Sequence, residues 1–207
     1  MLPSVLLAIN PDHPEPRKIA KAVAALEAGE IIAYPTDTVY GLGCDLHNKA
    51  AIEKLYQMKR MPKNQALALI CVDLSDIARY VIVDNSSYRL LKRLLPGPYT
   101  FILPATREVP KTIAPKRTQV GIRVPDHAIP RAIAAALGRP LISTTAAEHG
   151  TEPLQWPQDI AAAFPQAQLV LDGGPGGVVP TTVIDLTSQP PLIVREGAGS
   201  IDSLLDE

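Results

Sequence analysis

Tyr34-Pro35-Thr36-Asp37-Thr38-Val39-Tyr40-Gly41-Leu42-Gly43 follows directly on the apolar run Ile31-Ile32-Ala33. The four residues from Ile31 to Tyr34 read as a short buried strand. Pro35 has no N–H with which to continue a ladder, so it ends that strand. Two threonines and an aspartate then offer hydroxyls and a carboxylate at a strand end, a common position for ligand-binding groups. Threonine and aspartate are also ordinary turn residues. Taken alone, such a turn is more often structural than functional.

Outward from this stretch, apolar spacing marks further elements. Residues 16–28 set Ile19, Val23 and Leu26 on one helical face, and Gly29 follows as a stop. Residues 49–60 place Ile52, Leu55, Tyr56 and Lys59 on one helical stripe, and 67–72 read as a buried strand. Asp84 or Asn85 caps a helix running to Leu95, and 99–103 form a strand. In Val120-Gly121-Ile122-Arg123-Val124 the alternation puts the three β-branched residues on one face and Gly121 with Arg123 on the other. A helix from Pro130 to Gly138, a strand over 141–145 and a helix from Pro157 to about Phe164 follow. A strand at 169–171 leads into the loop Gly173-Gly174-Pro175-Gly176-Gly177, and strands at 182–186 and 192–195 close the chain. Strands and helices interleave without strict alternation. The expected fold is α/β: a twisted mixed β-sheet with helices packed against it. With no repeat, low-complexity tract or long linker, residues 1–207 read as a single domain.

Composition narrows the classes. The 207 residues are 46 % hydrophobic and 20 % charged, proportions of a globular rather than a disordered chain. A domain this size buries roughly 70 % of the surface its unfolded chain exposes, and needs neither metal nor disulfide to fold. Aromatics at 4 % argue against a stacking platform for single strands. Cys44 and Cys71 each sit in an apolar stretch, which argues against a disulfide scaffold or a cysteine-rich zinc site. No apolar run approaches the ~18 residues of a membrane helix, and the N-terminus lacks a basic n-region, so a cytoplasmic protein without membrane partners is expected.

Charge is segregated. Residues 1–48 carry three basic and six acidic side chains, and 49–139 carry sixteen and six. Residues 148–207 carry Arg195 against nine acidic groups. A basic face attracts phosphates; pairing of the two regions inside the fold reads the same asymmetry without a partner. No P-loop, GxSxG elbow or third glycine after Gly41-Leu42-Gly43 occurs. His13, His47, His127 and His149 show no metal-ligand spacing. These absences count against common dehydrogenases, P-loop kinases, serine hydrolases and zinc hydrolases.

Pro35-Thr36-Asp37-Thr38-Val39-Tyr40-Gly41-Leu42-Gly43 resembles the opening motif of the YrdC-like family, the threonylcarbamoyl-AMP synthases of tRNA modification. LYQMKRMP (55–62), LPGPYTFIL (95–103), VGIRVPDH (120–127), PLISTTAA (140–147), TTVIDLT (181–187) and IVREGAGSI (193–201) fit the same family in the same order. The resemblance covers residues 15–201 and implies a YrdC-like fold with a large concave basic surface. It implies a reaction of L-threonine, bicarbonate and ATP, with Mg2+, to threonylcarbamoyl-adenylate and pyrophosphate. Such chemistry asks for positioning and for cations on phosphates rather than a protein nucleophile, and no catalytic residue or resident metal site is assigned.

By the resemblance, Thr38 and Arg123 contact the amino acid, Arg123 at its carboxylate. A bidentate guanidinium fork suits a carboxylate, although a solvated strand arginine fits the residues alone equally well. Lys59 matches a lysine that faces ATP; a lysine complementing a helix C-terminus is the other reading. Thr145 and Thr181 match hydroxyl residues of the substrate site. Arg195 matches an arginine that contacts nucleotide. Two positions depart from the pattern. The family arginine after that lysine falls on Met61, with Arg60 adjacent as a nucleotide-binding candidate but about 100° round the helix. The family asparagine falls on Ala147. These substitutions resemble the YciO-like branch, and each removes a polar ligand, worth ~1.5–3 kcal/mol when its partner is charged.

The leading expectation is a tRNA-modification protein resembling L-threonylcarbamoyladenylate synthase, with L-threonine, bicarbonate and ATP as ligands. One rival is a binder of tRNA or double-stranded RNA, read by shape and phosphate rather than by DNA-type sequence recognition, that has lost the synthase step. Lys116 and Arg117 are candidate phosphate contacts for it. Another rival acts on threonylcarbamoyl-adenosine already in tRNA.

Overall fold

The computed structural model describes residues 4–62, 67–113, 118–148 and 150–202. Lys116, Arg117 and His149 lie outside the described residues. The strands are β1 (Val5–Ala8), β2 (Ile32–Tyr34), β3 (Gly41–Asp45), β4 (Ala68–Ile70), β5 (Tyr99–Pro104), β6 (Gln119–Arg123), β7 (Leu141–Thr145), β8 (Leu169–Asp172), β9 (Thr182–Asp185) and β10 (Leu192–Arg195). The helices are α1 (Pro16–Glu27), α2 (Lys49–Met58), α3 (Leu74–Tyr80), α4 (Asn85–Leu94), α5 (Ala128–Leu137) and α6 (Pro157–Ala163). The strands form one sheet in the order β1-β8-β2-β3-β7-β4-β6-β5-β9-β10. It is mixed: β1, β2 and β8 run parallel, as do β4 with β6 and β5 with β9, and the other neighbours are antiparallel.

Helices cover both faces because each carries one apolar stripe. Ile19, Ala22 and Leu26 of α1 join Ile129, Ile133 and Leu137 of α5 over Ile32, Tyr34, Ile70 and Leu141. On the opposite face Ile52 and Leu55 of α2, Ile77 of α3, Leu91 of α4 and Ile160 of α6 pack over Leu42, Leu69, Phe101, Ile122 and Ile142. Asn48, Asp73 and Asp84 cap α2, α3 and α4 through side-chain oxygens that accept first-turn N–H groups. Gly138 ends α5 in the left-handed region, φ 71°.

Three elements lie outside the sequence expectation. β1 is a largely exposed edge strand of four residues, and α3 has seven residues, too few for a periodicity to declare itself. β3 contains two glycines, which strands normally avoid. Its glycines are needed, because a Cβ on Gly43 would stand 2.8 Å from both the Tyr34 ring and the Ile142 carbonyl oxygen. The helix expected over 49–60 ends at Met58, with Lys59 as its C-cap and Arg60 at φ 51°.

One cross-strand row prepares the site. Gly43 pairs with Ser143, Ser143 with Ala68, and Ala68 with Gly121. Cross-strand partners share a face, and these small residues make room there for the Tyr34 ring, which lies against Gly43 and donates its hydroxyl to Ser143 at 2.7 Å. Arg123, two residues beyond Gly121, lies on the same face.

Candidate functional site

The turn between β2 and β3 is organised around one guanidinium. Thr36 Oγ1 donates to the Val39 carbonyl at 2.6 Å and accepts the Thr38 N–H at 3.1 Å. From β6, Arg123 Nη2 donates to Thr36 Oγ1 at 3.0 Å, to Thr38 Oγ1 at 2.8 Å and to Asp37 Oδ1. Thr36, Thr38 and Arg123 are all buried. The Arg123–Asp37 ion pair is closed through one nitrogen and one oxygen: Arg123 Nε and Asp37 Oδ2 are buried without a partner.

The glycine-rich loop after β8 seats against this turn. Tyr40 Oη donates to the Gly174 carbonyl at 2.7 Å and accepts the Gly173 N–H at 3.3 Å. Burial pushes the Tyr40 phenol up to about 12, so it stays a neutral hydrogen-bonding group. The same loop delivers Thr181 to the mouth of β9. Thr181 Oγ1 lies 3.0 Å from Thr100 Oγ1. Arg195, at the end of β10, donates to the Thr181 carbonyl through Nε at 3.0 Å and Nη2 at 2.8 Å, and to Thr181 Oγ1 at 3.0 Å. Partial burial lowers the Arg195 pKa, and so does the charge of Arg123, which places the two guanidiniums within electrostatic reach.

Lys59 approaches from α2. Its Nζ donates to the Thr145 carbonyl at 2.6 Å and to Thr144 Oγ1 at 3.0 Å. It is 6 % exposed, and burial pushes its amine down to about 8. Among the described residues it has no carboxylate partner. Thr145 is the cross-strand partner of Gly41, and the next residue, Ala146, donates its N–H to the Tyr40 carbonyl at 2.8 Å. Lys59 and Thr145 therefore join the far end of the same turn.

The structure thus joins Thr38 to Arg123, Thr181 to Arg195 and Lys59 to Thr145, and the charge of Arg123 is felt at Arg195. Arg60 is exposed and forms no ion pair with them among the described residues; Met61 and Ala147 are buried, at 8 % and 5 % exposure. Met61 belongs to the core under α2, where its sulfur lies 3.9 Å from the Thr144 hydroxyl. Thr36, Asp37 and Thr100 are members that the sequence reading did not assign. Thr36 and Asp37 were visible as polar residues of the turn, whereas Thr100 had no local signal. Among the described residues no cluster of three or more His, Cys, Asp or Glu side chains could hold a metal. Asp37 is paired with Arg123 through one oxygen, and a single carboxylate does not form a magnesium cage.

The family model described as "Telomere recombination" (Sua5/YciO/YrdC) matches residues 24–197, and the chain belongs to that family. The uncharacterized protein YciO of Escherichia coli K12 is 42 % identical over 200 residues, 95 % of this chain and 97 % of YciO. The crystal structure of E. coli YciO superposes with a TM-score of 0.92 over 97 % of this chain and 98 % of that one. Threonylcarbamoyl-AMP synthase of Chromohalobacter salexigens is 36 % identical over 173 residues, 83 % of this chain and 94 % of the synthase. Sua5 of P. abyssi, crystallised with L-threonine, has a TM-score of 0.91 at 27 % identity, covering 97 % of this chain and 60 % of its own. The mixed twisted sheet with helices on both faces is the fold of YciO and Sua5.

Proposed function

We propose that this single-domain chain binds L-threonine and ATP through Arg123, Arg195 and Lys59, as a cytoplasmic tRNA-modification protein of threonylcarbamoyl-AMP synthase type. One observation carries the reading: buried Arg123 and Lys59 and half-exposed Arg195 meet hydroxyls and carbonyls, with Asp37 as their one carboxylate partner among the described residues. Burying cations with so few counter-charges is costly unless a ligand supplies them. A carboxylate and a triphosphate are such ligands, and the relatives named threonylcarbamoyl-AMP synthase and the threonine-bound Sua5 support that choice.

In this reading Arg123, steadied by Thr36 and Thr38, orients the amino-acid carboxylate. Threonine's nitrogen, once its ammonium has given up a proton, bonds to the bicarbonate carbon; a C–O bond breaks, water leaves, and a carbamate forms. A carbamate oxygen then attacks the α-phosphorus of ATP, and pyrophosphate leaves. Lys59 and Arg195 offset the phosphate charge, and Thr181 and Thr100 supply hydroxyls at the rim. Mg2+, carried by ATP, would neutralise the triphosphate. Preorganised cations and hydroxyls act strongly in a water-poor cleft.

Met61 and Ala147 favour a second reading, in which the nucleotide half is weakened and the chain binds tRNA or double-stranded RNA without forming the adenylate. Pyrophosphate release with L-threonine, bicarbonate and ATP, each omitted in turn, decides between them. Release that requires all three supports the synthase; no release, together with salt-sensitive RNA binding, supports the second reading.

A further inference from the structure

We propose that Asp37 reads the ammonium group of the amino acid, so that the site selects zwitterions over other carboxylates; this rests on the amino-acid reading above and assigns it a specificity residue. Arg123 Nη2 already serves three oxygens of the turn. Its Nε–H points at no acceptor, and Asp37 Oδ2 faces no donor, although both atoms are fully buried. Buried polar atoms without partners are costly and mark places a ligand completes. The vacant pair consists of one donor and one acceptor on neighbouring side chains.

An α-amino acid carries the complementary pair on one carbon. Its carboxylate accepts from Arg123, and its ammonium donates to Asp37. A simple carboxylic or hydroxy acid would satisfy Arg123 but set its carboxylate against that of Asp37, a like-charge contact. A simple amine would leave Arg123 unsatisfied. The ion pair of the free protein thus presents both halves of a zwitterion site, each residue keeping one polar atom without a hydrogen-bond partner.

The test is calorimetric titration of the full chain with L-threonine, with N-acetyl-L-threonine and with the hydroxy acid that replaces its amine by a hydroxyl. The wild type is expected to prefer L-threonine at least tenfold over both analogues. Asp37→Asn is expected to abolish that preference by weakening L-threonine binding while the hydroxy acid binds as before or better. A merely structural aspartate would weaken all three together. Equal wild-type binding of L-threonine and its analogues overturns the proposal even if the variant does not fold, as does an Asp37→Asn chain that keeps the preference. Serine or another amino acid binding with the same dependence on Asp37 while L-threonine does not would overturn the threonine reading alone. Binding of no amino acid would overturn both.

Discussion

Gly177 lies against Thr38 so closely that a Cβ added to it would stand 2.2 Å from the Thr38 carbonyl oxygen. Only a residue without a side chain lets the glycine-rich loop rest on the threonine turn. Gly177→Ala is therefore expected to displace one loop or the other, at about 1–3 kcal/mol in stability. L-Threonine affinity should fall with it, because Thr38 steadies Arg123. Denaturant unfolding and calorimetry read the two effects. An alanine variant unchanged in both would show that the loops separate freely.

Arg195→Lys keeps the charge but loses the fork that grips the Thr181 carbonyl through two nitrogens. A cost of about 1 kcal/mol in stability is expected, as for one ordinary hydrogen bond at a partly exposed position. ATP affinity should drop more clearly than L-threonine affinity. Equal losses for both ligands would place Arg195 outside the nucleotide half.

Lys59 makes stability depend on pH with a definite sign. Its amine loses its proton near pH 8 in the folded chain, against an ordinary value of 10.5. Between these values the unfolded chain binds more protons, so stability rises with pH across that window, by up to roughly 3 kcal/mol. Lys59→Met should remove this rise and be at least as stable as the wild type at pH 7, while losing ATP affinity. The difference between the two unfolding profiles from pH 7 to 11 isolates the lysine from other titrating groups. A flat difference would reject the burial of a charged amine.

Met61→Arg with Ala147→Asn restores the family's polar pair and is expected to raise ATP affinity. It should also lower stability, since both positions are buried and an arginine at 61 enters an apolar environment. Dissociation constants for ATP and unfolding midpoints test this together. Unchanged ATP affinity in a folded double variant would place the altered function elsewhere.

RNA binding, if the basic stretch serves it, should weaken steeply with salt as phosphate contacts release counterions. Arg89 and Lys92 are exposed on α4, and reversing both to glutamate should weaken tRNA binding alike for all sequences. Gel-shift titrations at two salt concentrations measure the slope. Indifference to salt would rule out a phosphate-dominated interface.

The repeat of local backbone geometry made much of the fold legible in the sequence. A helix turns every 3.6 residues and a strand alternates every two, so the α2 stripe through Leu55 and the alternation around Arg123 could be read from spacing alone. The turn after Tyr34 was equally legible, because proline ends pairing whatever lies around it. The tertiary structure alone decided which groups meet. Arg123 reaches Asp37 across 86 positions and Lys59 reaches the Thr145 carbonyl across the same span. Those contacts follow from a strand order in which β7 and β4 stand between β3 and β6, an arrangement that no local period encodes. Likewise the two glycines of β3 looked unsuited to a strand until the Tyr34 ring was found lying over Gly43. Local chemistry chose the elements, whereas the unmatched Nε of Arg123 and Oδ2 of Asp37 exist only because distant strands bring two half-satisfied groups into one buried place.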